Sequence, residues 1–385
     1  MRLGLLVALA AIGTVTVSAQ EPKLAADKSV GKLEVVATFD GPMPTGVTVS
    51  HHGRVFVNYP RWGDAVEFTV AEVKDGNATA YPSKAIAVYD KQRPGETLVS
   101  VQSVVVDPAD RLWILDTGSI EFGPVMPGAA KLVGVDLATN KVFKTIAFPP
   151  DVALATTYLN DIRFDLRKGK GGVAYITDSS GTGPNGIIVV DLESGKSRRV
   201  LNDHPSTKAV KHFLPIVEGR PLMERKPGQP PKPLSIGSDG IAISHDGKYL
   251  NYCPLASRHL YRVPTDTLLE EKLSDAEIGK SVEDLGDRGF ASDGLESDDK
   301  GRLYLTDYEH NSILRRTVDG QYETIAHDPR MLWPDTMSIA KDGYLYFTAN
   351  QLHRQKNYQG GKDLREKPYT LLRVNVDAGP VLLKP

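Results

Sequence analysis

The chain has 385 residues, a formal net charge of −2 and 24% charged residues. This near-neutral balance gives no basic surface for nucleic acid, and the ordinary share of apolar residues, 41%, excludes a disordered chain. The length exceeds one ordinary core, and 35 glycines with 26 prolines favour many short strands joined by turns over a helical protein.

Residues 1–19 carry the pattern of an export signal. Arg2 supplies the charged start, Leu5 to Ile12 the apolar run, and Val17, Ser18 and Ala19 before Gln20 the small-residue cleavage site. The run is short for a membrane span and is interrupted by Gly13, Thr14 and Thr16. The expected product is a secreted or periplasmic protein, off the membrane after cleavage. Residues 20–31 form a short leading segment, and the rest, 32–385, reads as one domain. The single cysteine, Cys253, leaves no internal disulfide, so the fold must hold itself by its core and its closure.

From residue 46 onward one unit recurs six times: a polar or small residue, an alternating apolar strand, a tight turn with Gly or Asp, and a second strand. The copies are GVTVSHHGRVFV at 46–57, QSVVVDPADRLWIL at 102–115, NDIRFD at 160–165 leading to VAYI at 173–176, DGIAISHDGKYL at 239–250, DGLESDDKGRLYL at 293–305 and DTMSIAKDGYLYF at 335–347. Period-two alternation marks half-buried strands, and the Asp-Gly and Lys-Gly steps supply hairpin turns. Further strands follow at 131–136, 186–191, 259–263, 312–316 and 370–375. Each unit is then a four-stranded meander that cannot bury both faces alone. Packing six of them radially gives an all-β, six-bladed β-propeller. The last unit runs short of chain, and LEVVATF at 33–39 is the segment expected to supply its outer strand. Two aperiodic stretches, 205–234 and 351–367, read as long loops, the first a candidate lid.

In such a ring all inner strands start at one end of the channel, so the residues just before them converge: Gly46, Gln102, Asn160 with Asp161, Asp239, Asp293 and Asp335. Asn160, Asp239 and Asp293 form a set of hard oxygens suited to a divalent cation such as Ca²⁺. Crowded carboxylates also repel, which raises a carboxyl pKa and makes a general acid or base.

Ordered motifs give the sequence a family likeness. VFVNYPRW at 55–62, SVQSVVVD at 100–107 with RLWILDTG at 111–118, YLNDI at 158–162, DGIAIS at 239–244 with PLAS at 254–257, and WPDTM at 333–337 with GYLYF at 343–347 and Asn350 resemble the Yellow and major royal jelly proteins. More distantly the channel residues resemble gluconolactonase-like propellers, although the first-blade acid of that group is replaced by Thr45 and Gly46. The resemblance implies a six-bladed propeller that handles a small aromatic molecule, in the manner of dopachrome-isomerising relatives. The alternatives are a non-catalytic binder of aromatic amines and a divergent metal-dependent lactonase. A dopachrome-type reaction needs a base, with Asp161, Asp239 and Asp335 as candidates, and a donor such as Arg61 or a histidine. It also needs aromatic walls, for which Trp62, Trp333 and Tyr308 are candidates. In the amine-binding alternative the resemblance places polar contacts at Thr336 and Asn350. A monomer acting on a small molecule is expected.

Overall fold

The computed structural model describes residues 27–385, and its strands form six four-stranded antiparallel sheets plus two small hairpins. The export-signal pattern at 1–19 lies outside the described residues. Five blades are continuous in sequence, at 47–80, 101–147, 159–200, 238–287 and 295–327. The sixth joins Pro334–Ile339, Tyr344–Ala349 and Tyr369–Asn375 to an outer strand taken from the other end of the chain, Leu33–Phe39. Each innermost strand packs on the innermost strands of both neighbours, and the first blade packs on the sixth. The ring is therefore closed, with six blades as the repeat implies.

Closure rests on main-chain pairing. Leu33 lies opposite Val374 and Phe39 opposite Tyr369, and the Arg373 guanidinium grips the Glu34 carboxylate at 2.7 and 2.9 Å. This strand takes the place of a disulfide; Cys253 is free and buried within Tyr249–Pro254. Inner strands such as Leu159–Asp165 and Val173–Asp178 are buried along their whole length, whereas an outer strand such as Lys141–Ala147 alternates exposed and buried. A strand sandwiched between two blades must be apolar on both faces, and one at the rim on one face only. Asp107 caps its hairpin by accepting from the Ala109 and Arg111 amides and from Trp113 Nε1, and Asp298 does the same for Lys300, Arg302 and the Tyr304 hydroxyl. Trp113 is inter-blade core, packed on Phe164 at 5.6 Å.

Two glycines set how closely the inner strands approach. A Cβ on Gly240 would stand 2.3 Å from the Asp293 carbonyl oxygen, and one on Gly294 would stand 2.4 Å from that of Asp335. Only a residue without a side chain fits between these backbones.

The two aperiodic stretches cover one end of the channel. The first forms hairpins pairing Ile216–Val217 with Arg220–Pro221 and Met223–Glu224 with Lys232–Pro233. Its Phe213, Val217, Leu222 and Leu234 join the same core cluster as Tyr308, Trp333 and Leu352. The two stretches are tied to each other where Glu218 accepts from His353 Nε2 at 2.9 Å and from Arg354 at 2.5 Å. At the other end of the channel Pro380, Val381 and Leu382 cover the openings left by the inner strands, and the Leu166 amide donates to the Leu383 carbonyl at 3.0 Å. His51 belongs to that far end. Its side chain is only 7% exposed against Asp110, so it does not face solvent as a hairpin position suggests, whereas His52 and His245 do. Among the described residues no helix is long and apolar enough to cross a membrane.

Gly240→Ala and Gly294→Ala are each expected to destabilise the protein by about 1–3 kcal/mol, because the added methyl overpacks against backbone. Gly41→Ala, where no atom lies within 4 Å, should leave the denaturant midpoint unchanged.

Candidate functional site

The strands that reach the covered end of the channel are irregular there. The ladder between first and second strands breaks between Val101 and Ser103, between Leu159 and Ile162, between Ser238 and Ile241, and between Pro334 and Met337. Gln102, Asn160, Asp161, Asp239, Asp335 and Thr336 all lie in these bulges. A bulge leaves a residue outside the ladder and re-aims its side chain, and such features gather beside active sites. Here they turn polar side chains toward the axis.

Gln102, Asn160, Asp239, Asp293 and Asp335 line one small cavity, with Trp62, Phe122 and Tyr158 on one wall and Leu352, Gln355 and Tyr358 on another. The Asp239 and Asp335 carboxyls both reach hydrogen-bonding range of Asp293. Trp333 Nε1 donates to Asp293 Oδ2 at 2.6 Å, Asn350 Nδ2 donates to Asp335 Oδ2 at 2.6 Å, and Ser179 Oγ lies 3.2 Å from Asp239 Oδ2 while accepting from Asn160 Nδ2 at 2.7 Å. Burial, reinforced by the charges of Asp293 and Asp335, pushes the Asp239 pKa well above the carboxylate range. Burial and then the Asp293 charge do the same to Asp335. Asp293 is raised by burial to about 6, held lower than its neighbours by the hydrogen bonds it receives from Trp333, Asp239 and Asp335. The three carboxyls form one coupled set that cannot ionise fully at neutral pH, with Asp293 the readiest of them to carry charge.

The aromatic wall is a continuous stack. The Phe122 ring lies 4.1 Å from that of Tyr158 and 5.2 Å from that of Trp62. Trp62 Nε1 donates to the Tyr158 hydroxyl at 2.7 Å, which in turn donates to Gln102 Oε1 at 3.1 Å. Burial raises the Tyr158 pKa, so this phenol stays neutral. Across the cavity Gln355, only 7% exposed, carries a buried Nε2 with no hydrogen-bond partner in the structure. The free volume is about 30 Å³, room for a water, whereas a benzene-sized guest needs roughly 150 Å³. Phe122 is 46% exposed, so its ring is the part of the wall that faces solvent.

Several expected site residues stand elsewhere. Arg61 does not reach the cavity: its Nε and Nη1 donate to the Val99 and Val66 carbonyls, and its guanidinium lies over Tyr89. Asp161 is spent one layer deeper, paired with Arg163 Nη1 at 2.9 Å and bonded by Ser103. Trp333 and Tyr308 stack on each other at 4.2 Å in the core behind the wall, and the Tyr308 hydroxyl donates to the Leu255 carbonyl. Thr336 and Asn350 hold Asp335 from outside the cavity. Asn160, Asp239 and Asp293 do converge, but Asp293 is engaged by Trp333 and by both other carboxyls. Among the described residues no three acidic, His or Cys side chains stand at ion-ligating spacing. Of the oxygens expected to hold a cation, Asp293 Oδ2 accepts from Trp333 Nε1 and Asp239 Oδ2 from Ser179 Oγ. Phe122, Ser179, Gln355 and Tyr358 carry no repeat or motif signal in the sequence.

Because the folded pKa of Asp293 is raised, its contribution to stability is complete below the unfolded carboxylate value and is lost as pH rises through about 6. The melting temperature should fall between pH 4 and pH 7, with a loss on the order of 3 kcal/mol from this group. Asp293→Asn should make that dependence shallower in pH-resolved thermal melts, with the part from the raised carboxyls of Asp239 and Asp335 remaining.

Residues 99–380 match the family model described as major royal jelly protein. The chain is 31% identical over 350 residues to L-dopachrome tautomerase yellow-f of Drosophila melanogaster, covering 80% of this chain and 74% of that protein. It is 27% identical over 227 residues to major royal jelly protein 1 of Apis mellifera, covering 56% of this chain and 48% of that protein. The chain thus spans about half the length of the royal jelly relatives it matches. Among solved structures it superposes on the calcium-binding protein regucalcin of Agrobacterium tumefaciens with a TM-score of 0.54 at 14% identity, over 90% of this chain and 95% of that one. It also superposes on a gluconolactonase of Xanthomonas campestris with a TM-score of 0.51 at 11% identity, over 92% and 99%. These two likenesses concern the fold. The family match and the yellow-f match together place this chain in the major royal jelly protein family.

Proposed function

We propose that the protein takes up a small aromatic molecule at the covered end of its channel and isomerises it in the manner of a dopachrome tautomerase. The observation that carries this reading is the convergence of Asp239, Asp293 and Asp335 on one buried cavity beneath the aromatic wall of Trp62, Phe122 and Tyr158, with burial raising the Asp293 pKa to about 6. A general base works best with a pKa near the operating pH. In the proposed step Asp293 accepts the proton from a ring carbon, the electron pair moves through the ring to a quinone oxygen, and that oxygen receives a proton from Asp239 or Asp335. The product is an isomer, so no oxidant or reductant is consumed. Gln355 Nε2 supplies the unused buried donor at that oxygen. The role expected of Arg61 passes to it. The pattern at 1–19 supports export to the periplasm or outside the cell.

The second reading, binding without turnover, is favoured by the same stack. An aromatic amine would lay its ring on Trp62 and Tyr158 and its ammonium on the carboxyl cluster. Lactone hydrolysis would need a cation to polarise the ester carbonyl, which the hydrogen-bonded carboxyls do not favour.

Purified protein should convert dopachrome, with kcat/KM rising as pH increases through about 6. Asp293→Asn should lower kcat by about 100-fold or more, and Asp239→Asn and Asp335→Asn by at least roughly 10-fold. Full turnover in all three variants refutes the assignment, while tight binding of tyramine with no turnover in the wild type selects the second reading. A further check concerns neutralisation of the cluster. Elemental analysis is expected to find no stoichiometric calcium, and one equivalent per chain would replace shared protons by Ca²⁺.

A further inference from the structure

The two insertions that cover the channel mouth differ in charge from the rest of the molecule. Residues 205–234 hold six lysines and arginines against two glutamates, and residues 351–367 hold five against two acids. Together they carry a net +7 in a chain whose total is −2, so all other residues carry −9. Lys208, Lys226, Arg354 and Arg365 pair with carboxylates. The other seven cations, Lys211, Lys232 and Lys362 among them, have no carboxylate partner among the described residues, and all are exposed. The insertions form one surface. The Arg225 amide donates to the Asn357 carbonyl at 2.7 Å, and a Cβ on Gly361 would lie 2.7 Å from Pro227.

The same surface displays aliphatic side chains. Phe213, Pro215 and Val217 are buried, while Leu214 and Ile216 between them are 41% and 44% exposed. Val210 on the same insertion is 42% exposed, and Leu364 on the other is 44% exposed. Backbone bonds hold the display from behind. The Ile216 amide donates to Glu309 Oε1 at 2.8 Å, and the Val210 amide donates to the Ala256 carbonyl at 2.9 Å. This segment is apolar on both faces, and its outer face is uncovered in the folded chain. An apolar ridge among unpaired cations fits an anionic lipid surface, where lysines meet headgroup phosphates and aliphatic side chains enter the acyl boundary. An anionic polymer would use the charges and leave Leu214 and Ile216 in water. The negative balance of the other residues is repelled by the same lipid, which turns the covered end toward it. We propose that the protein docks peripherally on an anionic phospholipid surface through these two insertions, with Leu214 and Ile216 entering the interface and Lys211, Lys232 and Lys362 on the phosphates. The docking needs no spanning segment and does not depend on the chemistry of the carboxyl cluster. It turns the channel mouth to the lipid and the C-terminal stopper away from it.

The test is flotation of the expected exported form, residues 20–385, with lipid vesicles. This form holds every described residue, and it lacks the apolar run of Leu5 to Ile12, which would bind lipid by itself. Vesicles of equimolar phosphatidylglycerol and phosphatidylcholine should bind it at least about tenfold more tightly than pure phosphatidylcholine, and about 1 M salt should remove most of that preference. Lys211→Glu with Lys232→Glu and Lys362→Glu should cut the preference to below about threefold. Leu214→Ser with Ile216→Ser should weaken binding to the mixed vesicles by about tenfold or more and leave binding to soluble dextran sulfate unchanged. Lys341→Glu, exposed at the far end of the channel, should change neither. All of these side chains are exposed, so thermal melts of the variants should match the parent. Equal binding to the two kinds of vesicle, or binding to neither, overturns the proposal. Undiminished vesicle binding by the serine variant would make the surface a polyanion site and would also overturn it. An equal loss in Lys341→Glu would show a general charge effect with no docking face, and that result overturns it too.

Discussion

The chemistry at the channel mouth depends on backbone distance. Gly240 lies against the Asp293 carbonyl and Gly294 against that of Asp335, at separations that admit no Cβ. Each glycine follows a channel aspartate, so the residue that lets two blades approach is the neighbour of the residue that profits from the approach. Three carboxyls are thereby brought to one buried cavity, where they cannot all ionise. The outcome is a coupled cluster whose members all lie above the ordinary carboxylate range, Asp293 the least raised of them, at about 6. Trp333 favours charge on Asp293 by directing its indole N–H at that carboxyl. A tryptophan in the inter-blade core thus acts on the site through a hydrogen bond, from behind the aromatic wall.

Around this cluster the ring supplies rigidity and the insertions supply shape. The blades are pinned by strand pairing from one end of the chain to the other and by hairpin caps such as Asp107 and Asp298, so the bulges that carry Gln102, Asn160, Asp239 and Asp335 have a fixed frame. The walls that exclude water come instead from segments without repeat character. Phe122 leaves the loop after Arg111–Asp116, and Leu352, Gln355 and Tyr358 come from the stretch at 351–367. A conserved ring geometry with variable covers is how one architecture serves many small molecules.

Much of this was legible from residues alone. Six alternating strand pairs with their turn glycines fix the blade count, and the short last unit points to Leu33–Phe39 as the closing strand, which is where it lies. Asp239, Asp293 and Asp335 are predicted to meet because each precedes an inner strand at one end of the ring, and they do. The limits have physical causes. Asn160 and Asp161 are adjacent, and a bulge decides which one faces the cavity; neither periodicity nor composition reports a bulge. Arg61 reads as a donor beside Trp62, but two backbone carbonyls claim its guanidinium, a demand visible only once the loop is folded. Gln355 and Tyr358 sit in a polar, aperiodic segment whose position depends on Glu218, more than a hundred residues away.

The tail at the far end of the channel has a practical side. Pro380 to Leu382 stopper the barrel from below, and Leu383 is stitched to Leu166. On the proposed function, the end covered by the two insertions is then the doorway to the carboxyl cluster. The stopper also keeps the final residues on the side remote from that doorway, where a surface tether or reporter would leave traffic undisturbed.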